Sequence, residues 1–169
     1  YLSRASKAKK MGMAGHKPLR VTLSHALKNE MRSIEHGRLF LFECYQGITS
    51  FRQLQNPIKA YNANFMRDML QRQNAALCDE QMHLVAQSPT HWVPTLTTLK
   101  MSAMANNVEF KNDARLAYIP ALVQSVLWQP DIGQAAANGR DAQGRFVHDE
   151  LFALASRQVG QAQQAGIKI

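Results

Sequence analysis

Apolar residues recur at helical spacing along most of this chain, and sustained alternation of period two is scarce. That combination constrains the fold more than any other feature. A helix needs its apolar groups three and four residues apart, whereas a half-buried strand needs them two apart. Leu23, Leu27, Met31 and Ile34 form the first stripe, with Lys28, Arg32 and Glu35 on other faces. The pattern predicts a helix that continues through Leu39–Tyr45 and stops at Gly47. Ser50 and Gln53 have capping-box spacing and open a short helix that Asn56–Pro57 ends.

The stretch from Lys59 to Gln87 contains neither Gly nor Pro and predicts the longest helix, with a middle, Gln71–Asn74, that is polar on every face. Pro89 and Pro94 frame a loop holding His91 and Trp92, and a helix is predicted from Thr95 to about Asn107. Ala114–Trp128 is the most apolar element and belongs at the centre of the core, with Pro120 kinking it. Gln129–Gly144 reads as a polar loop, and a last helix is predicted over Arg145–Val159. The expected fold is all-α: one domain, a bundle of five to six helices over residues 21–160, with a frayed tail at 161–169.

A chain of 169 residues with 46% hydrophobic and 19% charged residues has the balance of a single globular domain. Cys44 and Cys78 both lie in apolar, helix-like contexts, which suggests buried free thiols in a reducing cytosol. The run Leu39–Phe42 is only four residues long, so no apolar stretch approaches a membrane span. The basic N-terminus lacks the apolar region of a secretory signal. Together these features point to a soluble, cytoplasmic protein without membrane association.

Charge is distributed unevenly. Arg4, Lys7, Lys9, Lys10, Lys17 and Arg20 lie in the first twenty residues, which hold no acidic side chain. The net charge of +8 therefore leaves about +2 for the remainder. Gly12, Gly15 and Pro18 oppose a helix there, so residues 1–20 are expected to form a disordered basic arm. Such an arm is a device for finding a negative partner.

Chemical motifs are sparse. Glu80 and His83 form a single Glu-x-x-His pair, where a di-iron bundle needs two such pairs and two further glutamates. Cys78 beside His83 has no Cys-x-x-Cys or His-x-x-x-His to support it, so no metal and no cofactor is expected. His25 and His36 are assigned to solvent or capping, and His148, Asp149 and Glu150 to the start of the last helix. No nucleophile elbow or phosphate-binding loop is present, and a non-enzymatic protein is expected.

Two features suggest further phosphate contacts. The loop Asn138–Arg145 offers two Gly-Arg steps, with Arg140 and Arg145 as donors, although a flexible surface loop with capping groups is the better account of them. A helix-turn-helix over residues 49–72 would turn Lys59, Asn62, Asn64, Arg67 and Arg72 outward, but its first helix is barely two turns. The leading expectation is a nucleic-acid-associated accessory or regulatory protein, binding DNA or RNA backbone through its arm, Lys59, Arg67, Arg72, Arg140 and Arg145. The alternative is a helical adaptor or structural subunit, homo-oligomeric or bound to a protein partner, with Trp92 and methionine-bearing stripes as its interface.

Overall fold

The computed structural model describes residues 2–169, without the side chains of Leu2 and Arg4. Helices dominate, but they surround a three-stranded parallel sheet ordered β1-β2-β3. The strands are β1 (Met13–Gly15), β2 (Met31–Glu35) and β3 (His91–Val93). The helices in chain order are α1 (Leu2–Ala8), α2 (Leu23–Lys28), α3 (Arg38–Glu43), α4 (Ile48–Gln53), α5 (Pro57–Ala60) and α6 (Ala63–Gln71). They continue with α7 (Ala75–Ala86), α8 (Leu96–Ala103), α9 (Val108–Lys111), α10 (Ala121–Val123), α11 (Gln129–Asn138) and α12 (His148–Gln164).

The expected first long helix is therefore two helices and a strand. Thr22 caps α2, its side chain accepting from the His25 amide, and Glu30 turns the chain at φ +58°. Beyond that turn Met31 and Ile34 are buried in the sheet. Their spacing satisfies a helical stripe by coincidence. The predicted longest helix is likewise cut twice, because Asn62 and Asn74 each accept the amide three residues on and so start α6 and α7. The five-to-six-helix bundle gives way to shorter helices around a sheet.

Both chain ends are tied to that sheet. Met13–Gly15 of the supposed arm pairs with β2. At the other end α12 runs on to Gln164, Ile167 is buried, and the Trp92 amide donates to the Lys168 carbonyl at 2.8 Å. Residues 161–169 do not fray.

The core has two lobes. One lies against the sheet and gathers Leu23, Ile34, Phe40, Val85 and Trp92; the other gathers Leu41, Phe51, Met69, Val147 and Leu151. Helix α3 feeds both, which is why Leu39–Phe42 is apolar without a break. At the end of α3, Cys44 is joined to Cys78 of α7 in a disulfide across 34 residues. The free-thiol expectation fails here, because packing α7 on α3 brings the two Cα atoms to 4.4 Å. A disulfide also removes the premise of the cytoplasmic reading. No helix among the described residues is long and apolar enough to cross a membrane.

The largest departure concerns residues 108–128. Instead of a central core helix they form α9, a 3-10 turn over Ala114–Tyr118, α10 and a π-helical turn over Gln124–Trp128. Tyr118 is 90% exposed and Leu122 73%, with Val108, Val126 and Leu127 also exposed. Trp92 shows the reverse error: expected at an interface, it is fully buried.

Candidate functional site

The three strands are parallel, so their C-terminal ends open onto one edge, the position where parallel sheets place their ligands. The residues that follow there are His16 after β1, His36 after β2, and Pro94 and Thr95 after β3. A cavity of about 480 Å³ opens at this edge, lined by His16, Glu35, His36, Arg38, Phe42 and Tyr61 among others.

His16 and His36 stack with ring centroids 4.3 Å apart and planes 17° from parallel. His36 is held on three sides. Its amide donates to the Val93 carbonyl at 2.7 Å, its carbonyl accepts from the Trp92 indole Nε1 at 3.0 Å, and its Nδ1 lies 2.7 Å from the Thr95 hydroxyl. Its φ is +77°, and that of Thr95 is +39°, values that non-glycine residues seldom adopt. Strain of this kind persists where the surroundings over-determine it, and functional sites are where it concentrates. Gly37 follows because a Cβ there would sit 3.1 Å from the Pro94 carbonyl. Burial, and then the neighbouring His16 and Arg38, hold His36 below its ordinary 6.5 despite Glu35. The imidazole is thus neutral at pH 7, and with Nδ1 engaged by Thr95 its Nε2 is the nitrogen left for a ligand.

Beneath the histidines lies a buried ion cluster. Glu43, 2% exposed, receives Lys17 Nζ at 2.9 Å and Arg52 Nη2 at 2.6 and 2.7 Å. Lys17 also donates to the Val21 carbonyl at 2.7 Å, and Arg52 to the Leu19 carbonyl at 3.3 Å. Glu43 on α3 therefore anchors the loop that starts at His16 to the helix that starts two residues after His36. Burial lowers the pKa of Lys17, with Glu43 opposing it.

Most of the sequence-predicted basic residues have internal work. Lys17 is the buried partner of Glu43. Arg20 donates to the Leu54 and Gln55 carbonyls. Arg67 is buried between Asp141 at 2.7 Å and Glu150 at 2.7 Å, so it faces inward where a recognition helix needs it outward. Asn62 caps α6, and the Asn64 side chain accepts from the Ala142 amide. These placements remove the helix-turn-helix reading. Arg72 pairs with Asp68 and lies over the Tyr45 ring.

The Gly-Arg loop is also occupied. Its amides at Gln143 and Arg145 donate to the Asp141 carboxylate, which takes the place a phosphate would need. Burial pushes Asp141 up, but these amides and the Arg67 guanidinium outweigh it and bring its pKa to about 2. Arg145 joins the same carboxylate, and Arg140 is folded back on the Gly144 carbonyl.

Lys7 meets Glu30 at 3.1 Å on the surface. Lys9, Lys10 and Lys59 make no ion pair among the described residues, and the Arg4 side chain lies outside them. Glu80 and His83 are both exposed. Among the described residues, no three His, Cys, Asp or Glu side chains gather closely enough to hold an ion by themselves.

Compared with protein-family models, curated proteins and solved structures, the chain matches none.

The site residues that sequence reading missed are His16, His36, Arg38 and Tyr61. The two histidines are twenty residues apart in sequence, and only parallel pairing of β1 with β2 brings them together. The available signal was the pairing of each histidine with a glycine, Gly15-His16 and His36-Gly37.

Proposed function

We propose that this domain binds a small molecule at the C-terminal edge of its parallel sheet, with the stacked His16 and His36 rings forming part of the binding wall. The observation that carries the reading is the stacked pair itself: two imidazoles, one neutral by burial, presented side by side from adjacent strand ends into a cavity. The Thr95 contact fixes the orientation of the His36 ring, so the pair offers a ligand an aromatic edge and polar ring nitrogens in a set position.

Ligand-observed NMR and calorimetry with a set of small aromatic fragments test this. One site per chain should fill, and His16→Ala or His36→Ala should each weaken binding by about tenfold. Binding that neither substitution alters would remove the reading.

A nucleic-acid role is supported by a different end of the sheet. Lys7, Lys10, Arg32 and His91 border one groove of about 540 Å³. Counterion release makes such binding salt-sensitive, so anisotropy with DNA and RNA at two salt concentrations should show a slope that Lys10→Gln with Arg32→Gln reduces by about two. Salt-independent binding, or an unchanged slope, would count against it.

A further inference from the structure

The cavity at the strand ends has an uneven inventory of charge. Lys17 and Arg52 are both committed to Glu43 beneath it. Glu35 accepts from the Ser33 hydroxyl at 2.6 Å and lies on the cavity wall. Arg38 differs from the other cations. It makes no ion pair among the described residues, and its guanidinium rests over the Tyr61 ring, 5.2 Å from the centroid.

Around Arg38 the wall is apolar: Leu19, Leu39, Phe42, Ile48 and Ile58. Arg38, Ile58 and Tyr61 also border a neighbouring cavity of about 750 Å³, so the guanidinium stands where the two spaces meet.

Resting on the reading that this edge is the functional site, we infer that it accepts a small carboxylate with an apolar body, an aryl- or alkyl-carboxylic acid, with Arg38 as its anion-binding residue. A planar guanidinium presents two parallel donors to a carboxylate, and a ring face beneath it holds it in place until a ligand arrives. The apolar wall takes the body, in a volume suited to a small organic molecule. Glu35 sets the charge limit. A dianion such as a phosphate monoester would meet that carboxylate with no second free cation on the wall, so one negative charge is what the lining balances.

The test compares 4-phenylbutyrate with its amide, using ligand-observed NMR and calorimetry. The acid should bind about tenfold more tightly than the amide. Arg38→Gln should bring the acid down to the amide's level without changing the amide, and Arg38→Lys should keep part of the preference. Equal binding of acid and amide to the unaltered protein, a preference that survives Arg38→Gln, or no binding of either compound would each overturn the inference. Fragment titration of Arg38→Gln separates the two readings. Neutral fragments that bind it as they bind the unaltered chain, with the acid preference lost, support both, whereas fragment binding that ignores His16 and His36 removes the histidine-walled site and leaves the carboxylate result to stand by itself.

Discussion

The strand-end site and the segment 108–128 are built from similar amounts of apolar material and end up in opposite conditions. At the site, one histidine is fixed by three hydrogen bonds to β3 and its following loop, against a tryptophan with no exposed surface. In the segment, Tyr118, Leu122, Val126 and Leu127 face outward, and the helical pieces are three to five residues long. The difference teaches that apolar content does not decide burial. Connectivity does: Trp92 of β3 packs in one core lobe with Phe40 of α3 and Val85 of α7, while 108–128 is an excursion between α8 and α11 that contributes to neither lobe. Rigid geometry is concentrated where the sheet ends, and adaptable surface where the excursion turns.

The comparison breaks most visibly at Trp92. Trp92→Ala removes a fully buried ring packed edge-on against Phe40 at 4.8 Å, together with the indole donor to His36. A loss of about 3–5 kcal/mol is expected, read as a shift of the urea midpoint. A loss near 1 kcal/mol would mean that the site edge is as loosely built as the excursion.

Next in size is Glu43→Gln, which leaves Lys17 and Arg52 buried without their carboxylate. The expected cost is about 3 kcal/mol, and fragment binding at the strand-end cavity should fall with it because the loop bearing His16 loses its tie to α3. The restoring variant Glu43→Asp should recover more fragment binding than Glu43→Gln at comparable stability. If the two variants bind fragments equally, the cluster holds the fold together without positioning His16.

What the sequence made legible follows the same division. Helical content, the inward stripe of α8 and the apolar continuity of α3 could be read directly, since each depends on neighbours three or four residues away. The sheet could not be, because three-residue strands such as Met13–Gly15 and His91–Val93 are too short to show alternation. Met31 and Ile34 even satisfied a helical period while lying in a strand. The histidine pair was hidden for the same reason, being a product of strand pairing. The charges misled differently. Arg67 and Lys17 are cations by composition, but their partners Asp141, Glu150 and Glu43 lie between 26 and 83 residues away, beyond any local pattern. The Asn caps of α6 and α7 were visible as residues and unread as stops, because asparagine interrupts a helix only where its side chain turns back on the backbone.

The smallest effect should come from the excursion, and it is the most informative about function. Leu122→Asn replaces a side chain that is 73% exposed, so the folded state should change by no more than about 0.5 kcal/mol. Limited proteolysis should nonetheless cut first within 108–128, since its short helices have few neighbours to hold them closed. The excursion carries Glu109, Lys111, Asp113 and Arg115, an even balance of charge in a chain of net +8. A second copy approaching through this face thus meets less repulsion than through any basic face, and its exposed leucines and valines gain by being covered. Light scattering on Leu122→Asn beside the unaltered chain decides what that surface does. If the unaltered chain self-associates and Leu122→Asn does not, at unchanged stability, the apolar excursion is a docking surface and the adaptor reading gains its interface. If both are monomers, exposure here reflects only the position of the excursion outside both core lobes. The comparison then sharpens to one region built for a ligand and one merely tolerated.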